Sequence, residues 1–140
     1  MAAAEGINWQ AVGKPDYSLV GFWFRRFPPD MRNQLNKSEE ETLLWTIFYS
    51  WYSGYHSGRN RGCASFSQAK MGENIGRSRW TIARALAKFV AWGSLRVVHR
   101  RPLPGNQWQT NLYLLSGRLS AVLAAILRQP REKSPCSKTA

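Results

Sequence analysis

The segment SQAKMGENIGRSRWTIARALAKFVAWG, from Ser67 to Gly93, contains the signals of two helices joined by a tight turn. Ser67 and Ser78 stand where a serine hydroxyl can accept a hydrogen bond from an N–H in the first turn of each helix. Gly76 lies between the helices, where a tight turn needs a positive φ that glycine adopts easily. Gly93 stands where the second helix would end in the left-handed conformation. The segment therefore predicts a short helix, a turn and a longer helix.

The second of these helices has an apolar face and a basic face. Apolar residues recur at helical spacing, at Ile82, Ala85, Leu86, Phe89 and Val90. The opposite face and its N-terminal end carry residues that donate hydrogen bonds or bear positive charge, which are Arg77, Ser78, Arg79, Trp80, Thr81, Arg84 and Lys88. A helix that is packed on one side and basic on the other suits the major groove of DNA. We expect Arg84 to read a guanine through its forked donors, and Lys88 to contact a phosphate.

A resemblance to a known family follows from these residues. The spacing of Met71, Gly72, Ile75, Gly76, Ile82 and Ala85 resembles that of a helix-turn-helix. The run IGRSRWTIARALAKFVAWGSLRVVHRR, followed by NLYLL, resembles the winged-helix domains of phage and plasmid replication proteins and of small bacterial regulators, and the resemblance covers about residues 38–115. It departs from the usual pattern at Gly72, where alanine is common, and glycine inside a helix costs about 1 kcal/mol relative to alanine.

The resemblance implies a fold and a function. The expected fold is α+β, a winged helix-turn-helix with a three-helix core, a β-hairpin wing and an extra C-terminal helix. The expected function is site-specific binding of double-stranded DNA, in transcription regulation or in replication initiation of a bacterial mobile element. Winged helices also bind proteins, so a docking module within a larger nucleoprotein complex is the alternative.

The residues after Gly93 predict a β-hairpin in the position of a wing. Ser94 to Arg101 has the alternation of a strand, Pro102 to Asn106 is rich in turn-forming residues, and Thr110 to Leu115 has the pattern of a return strand. We expect basic residues at the base of the hairpin to contact phosphates and amides at its tip to reach the minor groove, namely Arg100, Arg101, Asn106, Gln107 and Gln109.

The charge of the chain favours a polyanionic partner. The 140 residues include 20 Lys and Arg against 8 Asp and Glu, which gives a net charge of +12. From Thr42 to Arg131 there are 13 basic residues, and the single acidic residue there is Glu73. Such a field attracts nucleic acid and accelerates the encounter with it. No segment reaches the roughly 20 apolar residues of a membrane-spanning helix, and the basic residues are spread over several elements, so we expect no membrane partner.

Catalytic and metal-binding patterns are absent from the sequence. Cys63 and Cys136 are far apart, without a CxxC motif, and the two histidines lack a neighbouring carboxylate cluster. A phosphate-binding loop with glycines and lysine is also missing. We therefore expect a protein that is not an enzyme and uses neither metal nor cofactor. The N-terminus has no secretory signal pattern, so a cytoplasmic location with free thiols is expected.

Residues 1–36 form a predicted N-terminal extension with an aromatic-rich segment. Residues 1–13 show no periodicity, which indicates a flexible lead, and the run from Tyr17 to Phe27 is dense in β-forming residues, which favours a short strand before two prolines. Its aromatic residues Phe22, Trp23, Phe24 and Phe27 have two interpretations. In the first, they pack in the core, and this is favoured because a small domain needs the apolar area that they supply. In the second, they form an exposed patch that binds a protein partner or single-stranded bases.

Residues 37–127 form the predicted DNA-binding domain, and residues 128–140 a disordered basic tail. The first helix of the domain is expected to start with a capping box of Ser38 and Glu41 and to end near Gly54. Its apolar stripe consists of Leu43, Leu44, Ile47, Phe48, Trp51 and Tyr52. The segment from Tyr55 to Ser65 is expected to be a loop, whose Arg59 and Arg61 are either solvated or in contact with phosphates.

The last helix of this domain has an apolar stripe with two interpretations. Its members are Leu119, Val122, Leu123, Ile126 and Leu127. The stripe packs back on the first helix, or it forms a homodimer interface of the kind that doubles the half-sites of many DNA-binding proteins. The sequence leaves both open.

Overall fold

The computed structural model of the chain describes residues 7–56, 64–65, 68–98 and 112–128. These residues form an α+β fold that is mostly helical. Its helices and strands, in chain order, are α1 (Trp9–Val12), α2 (Tyr17–Phe24), α3 (Pro29–Arg32), α4 (Lys37–His56), β1 (Ala64–Ser65), α5 (Gln68–Ile75), α6 (Arg79–Ala91), β2 (Leu95–Val98), β3 (Leu112–Leu115) and α7 (Gly117–Arg128). No helix in the described ranges is both long enough and apolar enough to cross a membrane.

Helix α4 is the central element, and α1, α2, α5, α6, β1 and β3 pack on it. From Thr42 to Tyr55 it contains no charged residue. Leu43, Ile47 and Trp51 of the predicted stripe are buried in the core, whereas Tyr52 is exposed, so its place in the stripe was wrong. The hydroxyl of the buried Thr46 donates to the carbonyl oxygen of Thr42 at 2.7 Å, which satisfies it without another partner. The hydroxyl of Thr42 donates in the same way to the carbonyl oxygen of Ser38 at 2.8 Å, whereas the buried hydroxyl of Ser50 has no hydrogen-bond partner among the described residues.

The start of α4 differs from the predicted capping box. The side-chain oxygen of Asn36 accepts the N–H of Glu39 at 2.9 Å, and the carboxylate of Glu39 accepts the N–H of Asn36 at 2.9 Å. The reciprocal pair is therefore Asn36 with Glu39, and the prediction of Ser38 with Glu41 was wrong by two residues. Asparagine caps as well as serine does, so the box could form two residues earlier in the chain.

The N-terminal residues form helices that belong to the same core as α4. Tyr17 to Phe24 is helical, so the predicted strand was wrong, and so was the flexible lead where it covers α1. Trp9 stacks on Trp51 with ring centroids 6.2 Å apart, and Trp23 lies 4.9 Å from Trp51. The indole N–H of Trp51 donates to the carbonyl oxygen of Gly13 at 2.7 Å. Residues 9–27 are thus fixed against α4 by aromatic packing and by this hydrogen bond.

The aromatic run of α2 divides between the core and the surface. Trp23, Phe24 and Phe27 are buried, which confirms the core interpretation for these residues. With Val20 they lie at positions 20, 23, 24 and 27, which is helical spacing. Asp16 caps the helix by accepting the N–H of Ser18 at 3.0 Å. Helical spacing and a cap outweigh the β-propensity of the individual aromatic residues. Phe22 points away from the core and is exposed.

The helix, turn and longer helix predicted from the sequence are present as α5, its following turn and α6. Gly76 has a φ of 71° in the turn, and Gly93 has a φ of 78° after α6. The N–H groups of Gly93 and Ser94 donate to the carbonyl oxygens of Val90 and Phe89, both at 2.9 Å, so α6 ends in a Schellman motif. The predicted cap Ser67 lies outside the described residues.

The strands form an antiparallel sheet in the order β1-β3-β2. Leu95 pairs with Leu115 and Val98 with Leu112, so the described parts of the two predicted strands form a hairpin. Strand β1 has two residues, and Ala64 pairs with Tyr113 of β3. The predicted loop from Tyr55 to Ser65 was therefore wrong at both ends, because its first two residues continue α4 and its last two form β1.

Helix α7 packs within the chain through its apolar stripe. Leu119 and Leu123 are completely buried, and Ile126 is nearly so. At the start of the helix, the guanidinium of Arg118 binds both carboxylate oxygens of Asp30, at 2.8 and 3.1 Å. A dimer through this helix would have to use its outer face, since the centre of the stripe is occupied within one copy.

Candidate nucleic-acid interface

The N-terminal half of α6 presents an exposed basic surface. Arg77, Arg79, Trp80 and Arg84 are exposed, and Trp80, at 62%, is the most exposed of the large apolar side chains in the described part of the chain. The guanidinium of Arg79 lies 4.7 Å from the centre of the Trp80 ring. Stacking on the indole holds this cation against the start of the helix. We call this surface, comprising Arg77, Arg79, Trp80 and Arg84, the basic end of α6.

Ser78 caps α6 as predicted. Its hydroxyl oxygen accepts the N–H of Thr81 at 3.2 Å and lies 3.2 Å from the hydroxyl of Thr81. Both hydroxyls are therefore part of the cap, and Thr81 is partly buried. These bonds fix the direction in which α6 leaves the turn, so the neighbouring Arg77 and Arg79 are held at a defined place.

The back of α6 is packed as expected, with one exception. The buried residues are Ile82, Ala85, Leu86 and Phe89. Val90 is 38% exposed, so the prediction that it belongs to the apolar face was wrong. At 100° per residue, Val90 lies 80° from Ile82, at the edge of the buried face. The neighbouring Trp92 is also exposed. The C-terminal end of α6 therefore has apolar residues at its surface.

Lys88 is bound inside the chain. Its ammonium donates to the carboxylate of Glu39 at 2.9 Å and to the carbonyl oxygen of Gln34 at 2.7 Å, and it lies 5.3 Å from the centre of the Trp92 ring. Burial acts to raise the pKa of Glu39, but the hydrogen bonds from Lys88 and Asn36 together hold it below its usual value. A phosphate contact by Lys88, as the sequence predicts, would have to compete with this ion pair.

The positive charge on α6 is concentrated at its N-terminal half. Arg77, Arg79 and Arg84 form no ion pair with any residue that the structure describes. The N-terminus of a helix carries about half a positive elementary charge, which adds to theirs. Toward the other end, Glu39 compensates Lys88. The uncompensated positive charge of α6 among the described residues therefore lies at its basic end.

Gly72 allows the turn before α6 to be tight. The N–H of Arg77 donates to the carbonyl oxygen of Gly72 at 2.8 Å. A methyl group added at Gly72 would collide with the carbonyl oxygen of Arg77. From the sequence, Gly72 was expected only to weaken the helix relative to the usual alanine. In the structure, the absence of a side chain at Gly72 lets the backbone of Arg77 approach α5. The glycine at a position where alanine is usual was the only sign in the sequence of this close approach.

A second unusual surface lies along α4. It consists of Tyr17, Trp45, Phe48, Tyr49 and Tyr52, which we call the aromatic face. Tyr17 and Trp45 have ring centroids 4.5 Å apart, Trp45 and Phe48 5.7 Å, and Phe48 and Tyr52 6.4 Å. Tyr52 is 51% exposed and the other rings are partly exposed. Burial, followed by the charges of Glu41 and Glu40, raises the pKa of Tyr17 above its ordinary value.

The remaining predicted contacts lie outside the described residues. They are Arg59 and Arg61 of the predicted loop and the wing residues Arg100, Arg101, Asn106, Gln107 and Gln109. Both cysteines and the C-terminal tail from residue 129 onward also lie outside. Within the described ranges, no cluster of three His, Cys, Asp or Glu residues is arranged to hold a metal ion.

Comparison with known proteins gives no relative for this chain. A scan against models of protein families, a search of curated proteins and a search of solved structures each found no match. A proposed function therefore rests on the geometry and electrostatics of the residues described above.

Proposed function

We propose that this chain is a winged-helix protein that binds double-stranded DNA at specific sites, with α6 as its recognition helix. The observation that carries the proposal is the basic end of α6. Arg77, just before the capped start of α6, and Arg79 and Arg84 on the helix form no ion pair among the described residues, and Trp80 beside them is exposed. A helix of this kind enters the major groove with its N-terminal residues toward the base edges.

The arrangement of the elements around α6 supports the winged-helix part of the proposal. Helices α4, α5 and α6 pack on one another, and the antiparallel strands β2 and β3 follow α6 directly. In a winged helix, the hairpin in this place forms the wing. The wing residues Arg100, Arg101, Asn106, Gln107 and Gln109 would then approach the DNA beside the groove that α6 occupies.

The residues of α6 have separate roles in this proposal. Arg84 lies near the centre of the face opposite the buried residues, and its guanidinium can donate to O6 and N7 of a guanine. Arg77 and Arg79, at the start of the helix, are placed for phosphates, and Trp80 can make apolar contact with a thymine methyl group. Binding involves no catalytic step, metal or cofactor. It would serve transcription regulation or replication initiation of a mobile element in the bacterial cytoplasm, as the resemblance implies.

The proposal is tested by selecting binding sites from a pool of random duplexes and measuring affinity for the best site at several salt concentrations. Selection should converge on one sequence. The logarithm of the binding constant should fall linearly with the logarithm of salt concentration, by roughly 0.9 for each phosphate contacted, because counterions are released. A pool that stays random, or an affinity that salt does not change, would contradict site-specific duplex binding.

A protein-docking function is the alternative that one observation favours. The aromatic face of α4 is partly exposed, and the helix has no charge along it from Thr42 to Tyr55. Large exposed aromatic patches are typical of protein interaction sites. A docking module predicts weak binding to all duplexes alike in the selection experiment, and loss of assembly when Tyr52 is changed to Glu. Site-specific DNA recognition predicts that Tyr52→Glu leaves duplex affinity unchanged.

A further inference from the structure

We propose that Phe22, Arg25 and Arg26 form a second nucleic-acid site, which binds the bases and phosphates of single-stranded DNA. The site lies at the end of α2, outside the recognition helix. Phe22 is 43% exposed, whereas Trp23, Phe24 and Phe27 of the same segment are buried. We call these three residues the α2 patch.

The two arginines are placed around the ring of Phe22. The guanidinium of Arg26 lies 4.9 Å from the ring centre and that of Arg25 lies 5.9 Å from it. Both arginine side chains are exposed. Three flat groups, one ring and two guanidinium planes, are thus gathered at the surface. Bases stack on aromatic rings and on guanidinium planes, and the arginines also attract the phosphates between successive bases.

The α2 patch carries two positively charged residues, Arg25 and Arg26. The sequence from Tyr17 to Pro29 contains no acidic residue. Two carboxylates flank this segment in the sequence: that of Asp16 accepts the N–H of Ser18, and that of Asp30 binds Arg118 through both oxygens. The hydrogen bond from Arg118 is the main reason why the pKa of Asp30 lies below its usual value. This carboxylate is therefore already compensated and does not repel a strand that approaches the patch.

The chemistry of the patch selects single strands over duplexes and over proteins. A base in a duplex is already stacked on both sides, so its face reaches a protein ring only after the strand is unpaired. A protein partner needs a larger apolar centre than one ring, and the three aromatic residues that could enlarge this one are in the core. Stacking of a base needs little surface area, and the ring of Phe22 with the two guanidinium groups supplies the flat surfaces for it.

A chain with both sites would bind the junction between duplex and unpaired DNA. The basic end of α6 would hold the duplex, and the α2 patch would hold one separated strand. Of the two processes considered above, replication initiation requires such a junction. This last step rests on the proposed duplex binding, but the single-strand site does not, because it uses different residues.

The site is tested by measuring affinity for an oligothymidine of about 20 nucleotides, which exceeds the roughly 4–16 nucleotides that one single-strand binding module covers. The variants are Phe22→Ala, Phe22→Leu and Phe22→Trp, and each is also measured on a duplex. Phe22→Leu keeps an apolar side chain and removes the ring, whereas Phe22→Trp keeps a ring on which a base can stack. The exposed position of Phe22 makes all three compatible with folding, which thermal unfolding verifies.

We expect Phe22→Ala and Phe22→Leu to weaken binding to the single strand by about 10-fold, and Phe22→Trp to retain it. Duplex affinity should stay within about 2-fold for all three, since the recognition helix is untouched. The proposal is overturned if Phe22→Leu binds the single strand as the wild type does, which would show that no base stacks on the ring. It is also overturned if Phe22→Ala weakens single-strand and duplex binding equally, because then the patch is not a separate site.

Discussion

For Gly72, helix propensity and the structure predict opposite effects of an alanine on the stability of the protein. Glycine in a helix is unfavourable by about 1 kcal/mol relative to alanine, so propensity alone predicts that alanine would stabilise α5. In the structure, a methyl group at this position would meet the carbonyl oxygen of Arg77, which is backbone and cannot rotate away. Relief of that collision would move the turn that orients α6.

We therefore predict that Gly72→Ala destabilises the protein by about 1–3 kcal/mol despite its better helix propensity. The control is Gly21→Ala in α2, where no atom lies within 4 Å of an added methyl group. This control should stabilise the protein by about 0.5–1 kcal/mol. Chemical denaturation of both variants measures the difference. A Gly72→Ala protein as stable as the Gly21→Ala protein would show that α5 and the turn do not approach as closely as described.

Local signals predicted the caps and turns of the candidate site. Gly76, Ser78 and Gly93 act as expected because each depends on its own backbone and its near neighbours. The partner of Lys88 could not be predicted, since Glu39 is 49 residues away in the sequence. The exposure of a cationic side chain depends on such distant carboxylates, and a helical wheel contains no information about them.

The same difference between local and distant interactions explains which helices and strands could be predicted from the sequence. Helix α6, with a cap, a stop and a regular apolar face, was predicted to within a residue or two. Helix α2 was not, because its aromatic residues individually favour a strand. The helical spacing of the buried Val20, Trp23, Phe24 and Phe27 reflects their packing in the core with α4. Tertiary packing decided between the two. Strand β1 has two residues and no periodicity, so only its pairing with β3 reveals it.

Helix α7 gives a prediction at the scale of an element. Leu123→Arg would place a charge where the side chain is completely buried within one copy, so we expect a loss of at least about 3 kcal/mol of stability. The control Ala121→Arg, on the exposed side of the same helix, should change stability by less than about 0.5 kcal/mol. Thermal unfolding with sedimentation analysis distinguishes the outcomes. If Leu123→Arg is a folded monomer as stable as the wild type, the stripe is a dimer interface.

At the scale of the whole molecule, a small chain combines a central helix that is uncharged from Thr42 to Tyr55 with a basic surface. The residues of α1, α2 and α3 pack into the same core as the helices that position α6, so the predicted N-terminal extension contributes to that core. The net charge of +12 predicted a polyanionic partner, but not which arginines are available to it. Of the four basic residues from Arg77 to Lys88, the structure leaves the three arginines without an ion pair among the described residues.

The claim that the basic end of α6 reads DNA sequence is tested most directly by one binding measurement. Affinities of the wild type, Arg84→Ala and Arg128→Ala are compared on the selected duplex and on its single-base-pair variants, at one salt concentration. Arg128 is exposed at the end of α7, so its variant loses the same charge outside the proposed interface. We predict that Arg84→Ala lowers affinity for the best site by about 1–3 kcal/mol and removes the preference at about one or two base pairs. Arg128→Ala should keep the rank order of sites. The account is contradicted if Arg84→Ala weakens every duplex equally or binds as Arg128→Ala does.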